Sequence, residues 1–242
     1  MSKVTQAMLL AAGLSTRMRP LTNDIPKPLL PFLNRRLLDF TLGYLQKFGI
    51  DSVAINVHHG REPFLQAIRD YAGPLRLQPF LEKEKILGTG GGIKNMRPFV
   101  TDSTFLVTNC DFLTDADAGK AIDFHRRNSS IATMVLIDDP RSKLYGEVGV
   151  DDTGRIVEFP HGKRSDGAKR HGFFSGIHIF DRAIFDWMPD REVFCINRDV
   201  YAPLVERKGS VYGFVTPARW YDLGEIASYR QAQEELKTKP LK

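Results

Sequence analysis

The sequence predicts an α/β protein built on a doubly wound, mostly parallel mixed sheet flanked by helices. Three observations predict it. An apolar run, residues 7–12, stops at Gly13 and opens into a loop of Gly, Ser and Thr, as a buried strand does at its carboxyl end. Strand and helix patterns then alternate as far as Leu81 at the short spacing of βαβ units. Apolar, β-rich segments recur at 104–109, 131–137 and 211–216, each bounded by turn residues.

Taken in order, Leu37, Leu38, Thr41, Leu42, Leu45 and Phe48 recur at three and four and stop at Gly49, which predicts an amphipathic helix over 35–48. Residues 51–57 read as a strand, 61–71 as a second helix, and 75–81 as a strand around Pro79. Leu87-Gly88-Thr89-Gly90-Gly91-Gly92 precedes a short helix through Met96. Its four glycines bare the backbone for something lying flat against it, or make a flexible turn. The strand 104–109 ends in Asn109-Cys110-Asp111, and Asp115 and Asp117 suit the start of a helix over 116–127. A hairpin over 145–159 turns at Asp152-Thr153-Gly154, and a strand resumes at 173–177. A helix over 197–207, the strand 211–216 and a last helix over 225–236 complete the chain.

Composition narrows the function. The 242 residues fit one large domain or one and a half small ones, and 42% hydrophobic with 26% charged residues is the balance of a folded domain. A net charge of +5 favours an anionic ligand, but Lys and Arg are scattered rather than striped, which argues against nucleic acid as the partner. Cys110 and Cys195 lack metal-ligand spacing and suggest a reducing compartment without a disulfide framework. One lysine and a six-residue apolar run at the N-terminus indicate neither a signal peptide nor a membrane span, so a cytoplasmic protein is expected.

The candidate chemistry lies at the carboxyl ends of strands, where such sheets bind ligands. In Ala11-Ala12-Gly13-Leu14-Ser15-Thr16, small residues let backbone N–H groups approach phosphate oxygens, and Arg17 adds a guanidinium fork. Pro26-Lys27-Pro28 predicts a lysine held in an extended, low-entropy segment. Asp111 either caps the turn after its strand or presents a carboxylate to the same crevice. Asp222, between two aromatics and Gly224, either caps the last helix or does likewise.

The motifs LAAGLSTRMRPLT, PKPLLP, LGTGGGI, YGEVGVDDTGRIVEFP and W-x-D-x-G together resemble the sugar nucleotidyltransferases, which join a nucleoside triphosphate to a sugar 1-phosphate. The resemblance runs from Met8 to about Leu236. It is nearest to compact members such as N-acetylmuramate 1-phosphate uridylyltransferase and mannose-1-phosphate guanylyltransferase-like proteins. It implies a Rossmann-like, GT-A-type single domain over 1–242. About 1–130 would be the nucleotide-binding part, and about 131–242 a sugar-phosphate-binding β subregion with the C-terminal helix.

The same resemblance implies transfer of NMP from UTP or GTP, with Mg²⁺ held by Asp111 and Asp222. Arg17 would act on the triphosphate, and Lys27 near the α-phosphate or the sugar phosphate. The loop Ala11 to Arg17 with Gly88, Thr89, Gly90 and Asn109 would bind the nucleotide. Tyr145, Gly146, Glu158, Ser175, Gly176 and Trp220, with Lys27, would bind the sugar phosphate. Two positions depart from the pattern: Ser15 replaces a usual glycine, and Phe159 replaces the family lysine, for which Lys163 or Arg164 could stand in. A monomer or homodimer is expected. Two other readings stay open: a non-catalytic nucleotide- or sugar-binding relative, and a nucleotide-sugar-dependent glycosyltransferase, which would typically carry a D-x-D pair.

Overall fold

The computed structural model describes residues 3–160 and 165–241. Its main sheet is nine-stranded. Strands β1 (Gln6–Leu10), β2 (Ser52–Val57), β3 (Arg76–Leu81) and β4 (Thr104–Asn109) run parallel to one another, in the order β4-β1-β2-β3. Pro79 lies on β3 at the sheet's edge, where its missing N–H removes no ladder bond. A three-residue strand, β5 (Phe112–Thr114), leaves the sheet straight after Asp111.

Within the main sheet the second half joins the first through one strand. β6 (Ala132–Ile137), the hairpin β7 (Glu147–Val150) with β8 (Ile156–Glu158), β9 (Arg170–Asp181) and β10 (Val211–Thr216) complete the sheet. β9 runs antiparallel to all three of its neighbours. One edge pairs with β7 through Arg170–Phe173 and with β4 through Ile177–Asp181, while the other edge pairs with β6. The change of partner falls at Ser175-Gly176, where the register against β6 shifts and Gly176 takes φ 94°. β10 is parallel to β6, so β1, β2, β3, β4, β6 and β10 all end on one rim.

Helices α1 (Leu37–Lys47), α2 (Arg61–Arg69) and α4 (Ala118–Arg127) pack on one face. The glycine helix α3 (Gly88–Asn95) and the segment around Phe194 to Leu204 cover the other. α1 starts one residue after Arg36, whose N–H donates to Asp39 at 3.0 Å; α4 starts after Asp117, which accepts from the Lys120 N–H at 3.0 Å. The helix expected over 197–207 is divided into a π turn, Asn197–Tyr201, and a short α-helix, Ala202–Glu206, because Pro203 has no N–H to give the preceding turn. α5 (Ile226–Thr238) closes the fold against a satellite core of Met18, Phe32, Leu37 and Tyr229. Among the described residues no helix is long and apolar enough to cross a membrane.

Two histidines are built into the core. His178 on β9 sits 2.6 Å through Nδ1 from the Tyr201 hydroxyl and packs with Phe180 and Tyr201 in one ring cluster; His125 on α4 sits 3.0 Å from Thr133 Oγ1. Burial holds the His178 imidazole down to about 3 and, with Arg126 adding repulsion, that of His125 to about 4. Both values are depressed on folding, so the unfolded chain binds more protons below its histidine pKa of about 6.5. Stability is therefore present above that value and falls as the pH drops towards 4. Urea titrations at pH 7 and pH 5 should differ by roughly 4 kcal/mol, about 2 for each buried histidine.

Gly43 lies inside α1 with nothing within 4 Å of the position a Cβ would occupy. Gly43→Ala should raise unfolding free energy by about 0.5–1 kcal/mol, read from the denaturation midpoint, because alanine loses less backbone freedom in a helix.

Candidate active site

The rim of the parallel strands carries a pocket of about 220 Å³ lined by Ala11, Ala12, Gly13, Ser15, Lys27, Gly88, Thr89, Asn109 and Asp111. Leu14, Thr16, Arg17 and Gly90 do not line it. Ser15 adopts φ 52° and ψ 36°, the left-handed conformation that glycine takes most easily. Its carbonyl is held by the Met18 N–H and the Thr22 hydroxyl, both at 3.0 Å, and these bonds offset the cost of a side chain there.

Lys27 is not extended as expected. It opens a 3₁₀ turn, Lys27–Leu29, with Leu30 N–H returning to its carbonyl, because a tight turn lets Pro28 supply the second turn position without a lost donor. The turn buries the lysine to 6% exposure and points its Nζ at Asp111 Oδ2, 3.4 Å away, whose side chain is 44% exposed. A buried cation thus faces a carboxylate that remains open to solvent.

The pocket floor is a pair that the sequence reading passed over. Asn56 Oδ1 accepts from the Ala11 N–H at 2.6 Å, and its Nδ2 donates to Glu82 Oε1 at 2.7 Å; Glu82 Oε2 accepts from the Leu87 N–H at 2.8 Å. Glu82, only 2% exposed, thereby ties the opening loop to the glycine segment. The signal was a polar Asn between the apolar residues Ile55 and Val57 of a buried strand, and an acid placed directly after the next strand.

The glycine segment is helical from Gly88 on; Gly88 and Thr89 line the pocket, and the next three glycines lie against the protein itself. A Cβ on Gly90 would stand 2.3 Å from the Phe194 ring, and one on Gly91 2.0 Å from the Glu192 carbonyl oxygen. One on Gly92 would stand 2.8 Å from Asn56 Nδ2. The Phe194 carbonyl already accepts from the N–H groups of Gly90 and Gly91.

Asp222 arrives from far along the chain by way of β11 (Trp220–Asp222), which pairs antiparallel with β5 so that Asp222 stands opposite Phe112. The ladder ends with the Leu223 N–H donating to the Asp111 carbonyl at 2.9 Å. Asp222 Oδ1 accepts from Gly224 N–H at 2.7 Å. Burial first, then the Asp222 carboxylate, pushes the Tyr145 phenol above its ordinary value, as a neighbour facing Asp222 should be. Tyr145, Trp220 and Asp222 line a second pocket on the same rim, about 500 Å³, beyond the ends of β6 and β10.

Other residues expected on the sugar side serve the frame of the site. Trp220 is 8% exposed and donates its indole N–H to the Ser175 carbonyl at 2.9 Å; Ser175 itself is 1% exposed. Gly176 leaves room for Phe112, whose ring would lie 2.6 Å from a Cβ there. Glu158 is buried, with the Ser165 N–H at 3.3 Å and His171 Nε2 at 3.5 Å, and Gly146 faces Pro160 across the hairpin. Phe159 packs against Tyr201 with ring centroids 6.2 Å apart, which gives it a place in the core. Lys163 and Arg164 lie outside the described residues.

Asp111 and Asp222 are brought near each other by the main-chain bond from Leu223 to Asp111, and the donors they offer are two aspartate carboxylates. Among the described residues no group of three or more His, Cys, Asp or Glu is assembled. Burial, with Asp111 adjoining, pushes the Cys110 thiol up to about 12, so it supplies no thiolate. Two hard oxygen ligands on an open rim fit Mg²⁺, which keeps water and substrate phosphates in its remaining positions.

The family model for nucleotidyl transferases matches residues 6–239. UTP–glucose-1-phosphate uridylyltransferase of Synechocystis is 31% identical over 250 residues, covering 98% of this chain and 64% of the relative. Mannose-1-phosphate guanylyltransferase of Mycobacterium tuberculosis is 31% identical over 234 residues, covering 95% and 64%. The chain thus spans under two thirds of the length of these two. It spans 98% of D-glycero-α-D-manno-heptose 1-phosphate guanylyltransferase of Aneurinibacillus thermoaerophilus, at 29% identity over 96% of itself. HddC of Yersinia pseudotuberculosis, solved with GMP-PN, superposes with a TM-score of 0.80 at 24% identity, covering 96% of this chain and 100% of that one. A UDP-glucose pyrophosphorylase solved with UDP-glucose gives 0.77 at 16% identity, over 98% and 99%. A doubly wound sheet with its pockets on the carboxyl rim, matched from end to end, places this chain in the nucleotidyl transferase family.

Proposed function

We propose that this chain transfers a nucleoside monophosphate from UTP or GTP to a sugar 1-phosphate, giving a nucleotide-sugar and pyrophosphate in a Mg²⁺-dependent reaction. The observation that carries this reading is the junction of Asp111 and Asp222. The β5–β11 ladder sets one acid in the glycine-loop pocket and the other in the Tyr145 pocket, with buried Lys27 between loop and acid. A nucleotide in the first pocket and a sugar phosphate in the second would meet where the two acids adjoin.

The residue types suffice for the chemistry. A sugar 1-phosphate, with a second pKa of about 6, already presents an anionic oxygen at pH 7 and needs no base to attack the α-phosphorus. The core histidines, held neutral, have no part to play. The obstacle is repulsion between two polyanions. Lys27 brings a fixed positive charge to the pocket wall, and the backbone N–H groups of Ala12, Gly13 and Ser15 would donate to phosphate oxygens. Asp111 and Asp222 would hold Mg²⁺, whose chemistry here is to neutralise charge on the transferring and leaving phosphates. Tyr145 would orient the sugar phosphate from the far side. Such substrates would place the chain in the cytoplasm.

The test is pyrophosphate release from four NTPs against a panel of sugar 1-phosphates; at least one pair should turn over. Chelation with EDTA should stop that reaction and added Mg²⁺ restore it. Asp111→Asn and Asp222→Asn should each lower kcat by about 10²–10³ or more, with the thermal midpoint within a few degrees of the parent. Full activity in either variant would overturn the metal assignment, and no release from any pair would overturn the transferase reading.

A further inference from the structure

Arg17 stands apart from the glycine-loop pocket. It lies in a 3₁₀ turn, Thr16–Met18, at the tip of the opening loop, and its Nη1 is 2.9 Å from Glu225 Oε1. Its guanidinium reaches over Gly224. A Cβ built there would be 3.2 Å from Arg17 Nη2 and 2.8 Å from Asp222 Oδ1, so the cation and the carboxylate both lie against one bare Cα. Glu225 sits at the entry to α5, where its carbonyl accepts from Ser228 Oγ at 3.1 Å and the Tyr229 N–H at 2.9 Å, and this fixes its main chain.

We propose that Glu225 is a positioning residue for Arg17. Its carboxylate holds the guanidinium beside Asp222, and the triphosphate of an incoming nucleotide competes with it for that guanidinium. The inference rests on the nucleotidyl-transfer reading. Both partners are more than half exposed, at 66% and 55%, so solvent screens the pair and it yields easily. A triphosphate carries several charges and can engage the same fork through two oxygens, so it takes the guanidinium from a single carboxylate. The pair keeps the tip of the loop near the Asp222 carboxylate, at a cost in nucleotide affinity.

Calorimetric titration of the full chain with the NTP that supports turnover, in the presence of Mg²⁺, tests this. Glu225→Gln keeps an acceptor for the guanidinium but removes the competing charge, and should lower the nucleotide Kd by about two- to fivefold. In an Arg17→Gln background the same change should move Kd by less than about 1.5-fold, because the group competed for is gone. An unchanged or raised Kd in Glu225→Gln overturns the proposal. So does an equal shift in the Arg17→Gln background, which would mean general repulsion between Glu225 and phosphate. If the parent chain binds no nucleotide, the transfer reading fails together with it; if the parent binds and only the Glu225 effect is missing, this inference alone fails.

Discussion

One hydrogen bond, from the Leu223 N–H to the Asp111 carbonyl, marks where the site is closed. Asp111 follows a central strand directly, so the sheet alone fixes it. Asp222 comes from the end of the chain and depends on three paired residues of β11 for its position. That ladder is anchored from beneath by Trp220, whose indole N–H is satisfied by Ser175 and whose ring packs on Phe112, Phe173 and Tyr145. A buried aromatic with its one donor satisfied is a rigid support, and it transmits the position of β9 to the carboxylate two residues on.

Much of the fold was legible because the pattern was redundant. Strands 104–109 and 211–216 were bounded as observed, since each is rich in apolar and β-branched residues and ends at turn residues. The β5–β11 ladder was not legible. Three residues are too few for a period, and their pairing is set by tertiary contact rather than by propensity. β9 was read over 173–177, less than half its 12 residues, and the bend that Gly176 allows is what lets the strand serve two partners on one edge.

The site was legible where chemistry sits on backbone ends and obscure where it depends on packing. Lys27, Asp111 and Asp222 were expected at the carboxyl rim from motif and position and stand there, yet the turn that buries Lys27 was missed, because two flanking prolines suggest an extended chain. The glycine run was read as a surface for a ligand or a flexible turn. Gly90, Gly91 and Gly92 instead make room for Phe194, Glu192 and the Asn56–Glu82 pair, contacts from segments remote in sequence. The role of Phe159 became plain only with Tyr201 beside it, and Glu82 only with Asn56.

β9 also bears on how this chain can be divided. The central strand β4 has β1 on one side and β9 on the other, and β9 is supplied from beyond residue 170. A fragment ending near residue 130 would expose the whole hydrogen-bonding edge of an apolar central strand, an open template for pairing with other chains. The two halves of the sheet therefore share their scaffold down to a single strand. They can diverge in their loops, but neither can be detached as a self-sufficient module.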